Sequence, residues 1–481
     1  MACTTLLVGK NASYDGSTMI ARNDDSGSGH FTAKKLAVFQ PKDYPAVYKS
    51  VISGVEIPLP AGGLRMTAVP NAVEGKGLWA ASGVNAANVG MTATETITSN
   101  PRVLGADPLV KGGIGEEDIV YLVLPYIRSA REGVHRLGSL LEQYGTYEMN
   151  GIAFQDTDEI WWLETIGGHH WMARRVPDDV YVVMPNQLGL DMLDLDDALG
   201  EQKDFICSAD LREFINRYHL DLAQGGALNP RDAFGSHDDA DHVYNTPRGW
   251  YMLRYFNPNT FAWDGPDADF TPRSDDLPWC MGPEKKITPE DIKYVLSSHY
   301  QGTPYDPYAG RSAEKSGIYR PIGVNRNDFM ALLQLRPDMP EDFRAVEWLA
   351  FASNAFNTML PLYANVDTAP EYLANTTGDV STDNFYWASR LLAAMADASY
   401  AKSVFHIERY TLSVGAKANH IVNTCDDAQR AETDPAARAA LRKKANEELA
   451  AMAKAETTDT LNKVLFELSS GMKNAYSRSD A

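Results

Sequence analysis

Four short apolar segments between residues 151 and 185 constrain the fold of this chain more than any other feature. They span 151–155, 159–165, 169–175 and 180–184, and Asp, Gly and Pro residues fill the gaps between them. Short apolar runs at regular intervals with turn residues between them are typical of antiparallel strands. The sequence therefore predicts a β-meander within an antiparallel sheet.

The N-terminal segment predicts an antiparallel hairpin. Apolar residues precede and follow a Tyr-Asp-Gly-Ser turn at 14–17. If Val8 pairs with Thr18, the open end of the hairpin brings together the residues near position 3 and those after position 21. A shift of one residue would exchange the two faces of each strand.

In this register Cys3 lies opposite Asn23, next to Arg22, with Asp25 just beyond. The Arg22 guanidinium can favour a thiolate, and the Asp25 carboxylate can orient an α-ammonium group. A salt bridge between Arg22 and Asp25 at the hairpin end is an equally simple interpretation.

Cys3 itself has two interpretations. It can be a small buried hydrophobe at the start of a strand. If Met1 and Ala2 are removed, it instead carries a thiol and a free α-amine, whose pKa values lie near ~8.5 and ~8. One residue then supplies both nucleophile and base for acyl transfer.

Amide cleavage also needs donors for an oxyanion, and two asparagines are candidates. Asn85 lies on a glycine-flanked turn, and Asn186 follows the last segment of the meander. Either asparagine can equally be a plain turn residue. Arg248 can bind a carboxylate or be a surface cation stacked on Trp250.

The remaining chain divides into regions of different character. Residues 116–144 predict a helix interrupted at Pro125. Residues 222–325 are rich in Pro, Gly, Asp and Tyr and predict loops. Helices are expected after about residue 340, one of them capped by Asp434.

Composition excludes several classes of protein. The net charge of −20 argues against a nucleic-acid partner or an anionic membrane. The four cysteines are far apart in sequence and fit neither a zinc knuckle nor a disulfide framework. With no signal-peptide pattern and no membrane-length apolar run, we expect a reduced, cytoplasmic protein.

Three motifs near the N-terminus resemble one enzyme family. They are Cys-Thr-Thr-Leu-Leu-Val-Gly-Lys at 3–10, Asp-Gly-Ser at 15–17 and Ile-Ala-Arg-Asn-Asp-Asp at 20–25. They resemble cysteine dipeptidases of the dipeptidase A type, which are N-terminal nucleophile (Ntn) hydrolases. Further similar segments are Gly-Val-Asn at 83–85, Ala-Thr-Glu-Thr at 93–96, Glu-Glu-Asp at 116–118, Ser-Ala-Arg-Glu-Gly-Val at 129–134, Gly-His-His-Trp at 168–171 and Thr-Pro-Tyr-Asp-Pro-Tyr at 303–308.

The resemblance implies an α+β fold, the four-layer αββα sandwich of two antiparallel sheets. It implies hydrolysis of dipeptides with broad specificity, no metal or organic cofactor, and a homo-oligomer. Its site pattern falls on six residues: Cys3 as nucleophile, with Arg22, Asp25, Asn85, Asn186 and Arg248.

The regional patterns and the resemblance together predict a domain organisation. Residues 1–2 form a short propeptide, and 3–340 form the hydrolase core with the loop-rich insertion at about 222–325. Residues 341–481 form a mainly helical extension packed on the core. Removal of Met1 alone leaves Ala2 in place, so a second cleavage is needed before Cys3 becomes N-terminal.

Other functions stay open at this stage. An acylase of the bile-salt hydrolase or penicillin V acylase kind shares the same site chemistry. A metallopeptidase is a weaker alternative, based on the acidic, histidine-containing segment 237–242 and on His169 and His170. A carbohydrate-binding or structural protein, and a nucleotide-binding enzyme using Gly112 and Gly113, are weaker still.

Overall fold

Two large antiparallel sheets dominate the computed structural model, which describes residues 3–310 and 314–473. The strands are β1 (Thr4–Val8), β2 (Thr18–Asp25), β3 (Ala37–Phe39), β4 (Val47–Lys49), β5 (Glu56–Pro58), β6 (Met66–Ala68), β7 (Ser82–Asn85), β8 (Gly90–Thr96), β9 (Asn150–Gln155), β10 (Ile160–Thr165), β11 (Trp171–Val176), β12 (Tyr181–Met184), β13 (Phe205–Cys207), β14 (Cys280–Met281), β15 (Asn327–Leu335), β16 (Ala345–Phe351) and β17 (Leu360–Tyr363).

The helices lie between β8 and β9, between β12 and β15, and after β17. They are α1 (Pro101–Ala106), α2 (Glu116–Val123), α3 (Ala130–Tyr144), α4 (Leu195–Ala198), α5 (Leu211–Tyr218), α6 (Pro230–Phe234), α7 (Asp241–Tyr244), α8 (Thr246–Phe256), α9 (Pro289–Leu296), α10 (Glu371–Ala374), α11 (Phe385–Ala398), α12 (Tyr400–Ala431) and α13 (Pro435–Ser470).

The seven-stranded sheet has the order β14-β12-β1-β2-β15-β16-β17, with the N-terminal hairpin at its centre. The eight-stranded sheet has the order β13-β11-β10-β9-β8-β7-β6-β3, and β4 and β5 form a separate ribbon. The pairings within these sheets are antiparallel, which confirms the predicted sheet type.

Three of the four predicted meander strands pair in sequence, and the fourth does not. β9, β10 and β11 are neighbours in the eight-stranded sheet, whereas β12 crosses to the other sheet and pairs with β1. The prediction of a single meander was wrong at this last strand. Strand character is a local property, but the choice of partner depends on packing against residues distant in sequence.

Three apolar cores divide the sandwich into four layers. Side chains between the two sheets form the inner core, which includes Leu7, Ile20, Trp162 and Leu333. The outer face of the eight-stranded sheet packs on α2 and α3. The outer face of the seven-stranded sheet packs on a group of helices that includes α8, α9, α11, α12 and α13. The αββα layering expected for the fold is therefore confirmed.

The interrupted helix forms as predicted. α2 ends at Val123, a 3₁₀ turn containing Pro125 follows, and α3 begins at Ala130 after the cap residue Ser129. Ser129 Oγ accepts the Glu132 N–H at 3.1 Å. Proline thus breaks the helix, and a serine cap starts the next one.

One expectation about the second half of the chain needs correction. Strands β16 and β17 lie beyond residue 340 and belong to the seven-stranded sheet, so the sheet continues past the expected boundary. The segment 222–325 contains α8 and α9, both largely buried, as well as loops. Asp434 caps α13 as predicted, accepting the N–H groups of Ala436 and Ala437.

Within the described residues, no helix is both long and apolar enough to cross a membrane.

The helical layer is tied to the sheet by a buried ion pair, which leads to a stability prediction. Asp426 on α12 accepts hydrogen bonds from Arg336 Nη1 at 2.5 Å and from the Tyr363 hydroxyl at 2.6 Å. We expect Asp426→Ala to lower the free energy of unfolding by about 3–5 kcal/mol, because Arg336 stays buried without its carboxylate.

Urea or thermal unfolding of the purified variants measures this effect. The matched control is Asp427→Ala, because Asp427 is exposed and pairs with exposed Arg430 at 3.7 Å. The control is expected to change stability by less than about 0.5 kcal/mol. Equal effects of the two substitutions would contradict the assigned role of the buried pair.

Candidate active site

Cys3 immediately precedes the central strand β1, and the pairing of β1 with β2 decides which residues face it. Thr5 pairs with Arg22 and Val8 with Met19, so the predicted register was wrong by one residue. In the observed register Cys3, Arg22 and Asp24 point to the same face, toward the space between the sheets. The hairpin itself forms as predicted.

Arg22 contacts the cysteine sulfur directly. Its Nη2 lies 2.6 Å from Cys3 Sγ, 2.9 Å from Asp24 Oδ1 and 3.5 Å from Glu116 Oε1. All four side chains are at most 1% exposed. One guanidinium nitrogen therefore joins a thiol and two carboxylates in a site shielded from water.

A second cation balances Asp24. Lys34 Nζ lies 2.9 Å from Asp24 Oδ2 and donates to the Trp79 carbonyl at 3.1 Å. Burial alone raises the pKa of Asp24, but Lys34 and Arg22 outweigh it, and the net shift of this pKa is downward. Asp24 is thus held as a carboxylate next to Arg22.

Asp25 lies on the opposite face of β2 from Asp24, because successive side chains of a strand alternate between its two faces. Its carboxylate is held by Arg320 Nη2 at 2.5 Å and by Asn327 Nδ2 at 3.0 Å. Asn23 shares that face and donates to the Leu296 carbonyl of α9 at 2.8 Å. The expected salt bridge between Arg22 and Asp25 is replaced by one between Arg22 and Asp24.

Arg248 reaches Cys3 from the first turn of α8. Its Nη1 donates to the Cys3 carbonyl at 2.5 Å and to Thr4 Oγ1 at 2.6 Å. The side chain is fully buried, with its guanidinium 5.3 Å from the Tyr244 ring. The interpretation of Arg248 as a surface cation on Trp250 was therefore wrong, since the segment folds into a buried helix.

Asn186 joins the same group through its side-chain oxygen. Arg248 Nη2 donates to Asn186 Oδ1 at 2.7 Å and to Asn245 Oδ1 at 2.7 Å. The Asn186 N–H donates to Asn245 Oδ1 at 3.1 Å. Arg248 therefore links the backbone of Cys3 to the side chain of Asn186.

The Asn85 side chain forms hydrogen bonds with backbone groups of two turns. Its Nδ2 donates to the carbonyls of Leu124 and Ile127, each at 2.8 Å, and its Oδ1 accepts the N–H groups of Ala87 and Val89. Both amide hydrogens thus hold the 3₁₀ turn between α2 and α3 against β7. The structure brings Cys3, Arg22, Asn186 and Arg248 together, and it gives Asn85 this separate set of contacts.

Sequence reasoning missed Asp24, Glu116 and Lys34. The alternation of side chains along β2 would have identified Asp24 if the register had been right. The sequence pointed to Glu116 only as an acidic residue in the first turn of a helix, where the helix dipole favours a negative charge. Its approach to Cys3 joins residues 113 positions apart, a distance that no local pattern encodes.

The only cluster of three metal-ligand types within the described ranges is formed by Cys3, Asp24 and Glu116, whose ligand atoms lie within 4.8 Å of one another. Arg22 Nη2 contacts all three, so a cation already fills the space where an ion would sit. These residues do not fit a metal.

The histidines considered for a metallopeptidase pair with aspartates instead. His169 and His170 both contact Asp107, and His242 contacts Asp275.

Comparison with known proteins identifies the family of this chain. Residues 2–413 match the profile of peptidase family C69. The chain is 51% identical to a dipeptidase of Bifidobacterium longum (strain NCC 2705) and 52% identical to a probable dipeptidase A of Streptococcus pyogenes serotype M3, with full coverage of both chains in each case. A probable dipeptidase B of Lactococcus lactis is 44% identical over 100% of this chain and 98% of its own. The chain therefore belongs to peptidase family C69.

Proposed function

We propose that this protein is a cysteine-type dipeptidase of the Ntn-hydrolase class, with the sulfur of Cys3 as nucleophile. The observation that carries the proposal is the 2.6 Å contact between Cys3 Sγ and Arg22 Nη2 at a buried site. A fixed guanidinium favours the thiolate form of a cysteine. The dipeptidase names of relatives about half identical to this chain support the substrate class.

The reaction proceeds through a thioester. The α-amine of Cys3 takes the thiol proton, and the sulfur attacks the carbonyl carbon of the peptide bond. The resulting ammonium gives its proton to the leaving nitrogen as the C–N bond breaks, which releases the C-terminal amino acid. A water molecule, deprotonated by the same amine, then cleaves the C–S bond and releases the N-terminal amino acid.

Asn186 is the proposed side-chain donor to the oxyanion. Arg248 holds its oxygen, so the amide nitrogen of Asn186 is directed away from the guanidinium. We propose a positioning role for Arg248, because its guanidinium donates to the Cys3 carbonyl and to the side-chain oxygen of Asn186. Asn85 is left out of the oxyanion site because both of its amide hydrogens bind Leu124 and Ile127.

The mechanism requires Cys3 to be the first residue of the active protein. Met1 and Ala2 lie outside the described residues, and their removal as a propeptide stays a prediction. Cleavage of the Ala2–Cys3 bond frees the α-amine that acts as base. Interaction of that amine with Asp25 also stays a prediction.

Two further properties belong to this proposal. We propose a cytoplasmic location, in keeping with four cysteines that are all free thiols. We also propose a homo-oligomer, because Phe405, Leu412, Leu465 and Phe466 on α12 and α13 are at least half exposed. Sedimentation analysis of the purified protein tests the second point.

Replacement of the nucleophile is the first functional test. We expect Cys3→Ala to lose more than about 99.9% of dipeptide hydrolysis, because no thioester can form. Ninhydrin or chromatographic detection of released amino acids measures the loss. The control is Cys207→Ala, which removes a buried thiol of β13 and leaves the activity in place. Full activity of the Cys3→Ala protein would rule out the mechanism.

Intact-mass analysis tests the processing step. We expect the active protein to have the mass of the chain without Met1 and Ala2, because the free α-amine of Cys3 is the base. Mass spectrometry of the fraction with the highest specific activity measures this directly. Full activity in protein that still carries Ala2 would show that another group accepts the thiol proton.

Substitution of Asn186 and of Asn85 distinguishes an oxyanion-binding role from a structural role. We expect Asn186→Ala to lower kcat about 10²- to 10³-fold, as loss of an oxyanion donor does. Asn85→Ala is expected to lower the thermal midpoint but to leave kcat of the folded protein within a few-fold. Steady-state kinetics and thermal unfolding distinguish them, and the reverse pattern would exchange the two roles.

A further inference from the structure

Glu116 is placed beside Cys3 by the start of α2. Gly115 precedes it, and a Cβ atom at Gly115 would lie 2.1 Å from the Tyr147 hydroxyl oxygen, so a larger residue would displace the Tyr147 ring. The Gly115 N–H donates to Asp118 Oδ2 at 3.0 Å, and the Glu116 N–H donates to Glu148 Oε1 at 2.7 Å. Side chains on both sides thus fix the first turn of this helix and the position of Glu116.

Bond lengths limit where the amino group of a dipeptide lies during attack. The attacked carbon must come within about 3–3.5 Å of Cys3 Sγ. The α-nitrogen of a dipeptide lies only about 2.5 Å from that carbon, since the N–Cα and Cα–C bonds are about 1.5 Å each. Glu116 has a carboxylate oxygen within 4.8 Å of Sγ. A charge-assisted hydrogen bond of about 2.8 Å can therefore connect the ammonium of the dipeptide to the Glu116 carboxylate.

The local charges also favour an ammonium group. Arg22 and Lys34 supply two positive charges, and Asp24, Glu116 and Glu148 supply up to three negative charges. Burial, and next the charge of Glu116, raise the pKa of Glu148 to about 7. Lys34 faces Asp24, whereas Glu116 lies on the side of Glu148, where carboxylates outnumber cations.

We propose that Glu116 binds the α-ammonium of the dipeptide and is the residue that makes the enzyme prefer substrates with a free amino terminus. Glu148 supports it by binding its backbone N–H. This inference rests on the proposed function. A residue that binds the α-ammonium would also distinguish a dipeptidase from an acylase, because an N-acylated substrate has no ammonium group at this position.

The test compares L-alanyl-L-alanine with N-acetyl-L-alanyl-L-alanine as substrates of the processed enzyme. For Glu116→Gln we expect kcat/KM for the free dipeptide to fall about 10- to 100-fold, mainly through KM, as loss of a hydrogen bond to a charged group does. Cleavage of the acetylated compound should fall by no more than a few-fold, through the weaker pairing of Arg22, so the preference for the free dipeptide over the acetylated compound is largely lost. Glu116→Asp, which keeps the charge, should retain the preference.

Glu117→Gln is the matched control. Glu117 is the next residue of α2 and is equally buried, but it accepts hydrogen bonds from Ser50 and Tyr147. It should keep the wild-type preference. Thermal midpoints of all variants show whether each one is folded.

Three outcomes would overturn the inference. Glu116→Gln could keep the wild-type preference, or could lower the cleavage of both compounds equally. It could also shift the pH profile of kcat for both, as a group that binds the α-amine of Cys3 would do. Failure of the proposed function itself is distinct, because the wild-type enzyme would then not cleave L-alanyl-L-alanine.

Discussion

The buried guanidinium of Arg22 is the interaction on which the rest of the site depends. A charge removed from water is stable only when it is paired and hydrogen-bonded. Arg22 meets this need with the sulfur of Cys3 and the carboxylates of Asp24 and Glu116, all at most 1% exposed. The charge that stabilises the fold is therefore also placed to stabilise a thiolate.

The layered fold supplies each part of this arrangement from a different element. The central pair β1 and β2 brings Cys3, Arg22 and Asp24 to one face, between the sheets. Helix α2 adds Glu116 from the outer layer of the eight-stranded sheet, and α8 adds Arg248 from the opposite side. The backbone of Cys3 is held by Arg248 and its sulfur by Arg22, so the residue is fixed at two points.

Local patterns in the sequence predicted the secondary-structure elements better than the distant segments with which those elements pack. The hairpin, the break at Pro125 and the cap at Asp434 depend on neighbouring residues, and all three form. The pairing of β12 with β1 and the approach of Glu116 to Cys3 depend on contacts between distant segments. A one-residue error in register was enough to miss Asp24, because adjacent residues of a strand face opposite ways.

Stoichiometric labelling with iodoacetamide tests the central claim, that Cys3 is the reactive nucleophile, most directly. Burial raises the pKa of Cys207 to about 12 and that of Cys280 to about 11, and it also raises the pKa of Cys425. These three thiols should react slowly. The account predicts that one equivalent of label, mapped by peptide mass analysis to Cys3, abolishes activity, and that excess dipeptide slows the reaction. Full activity after complete alkylation of Cys3, or loss of activity that follows labelling of another cysteine, would contradict it.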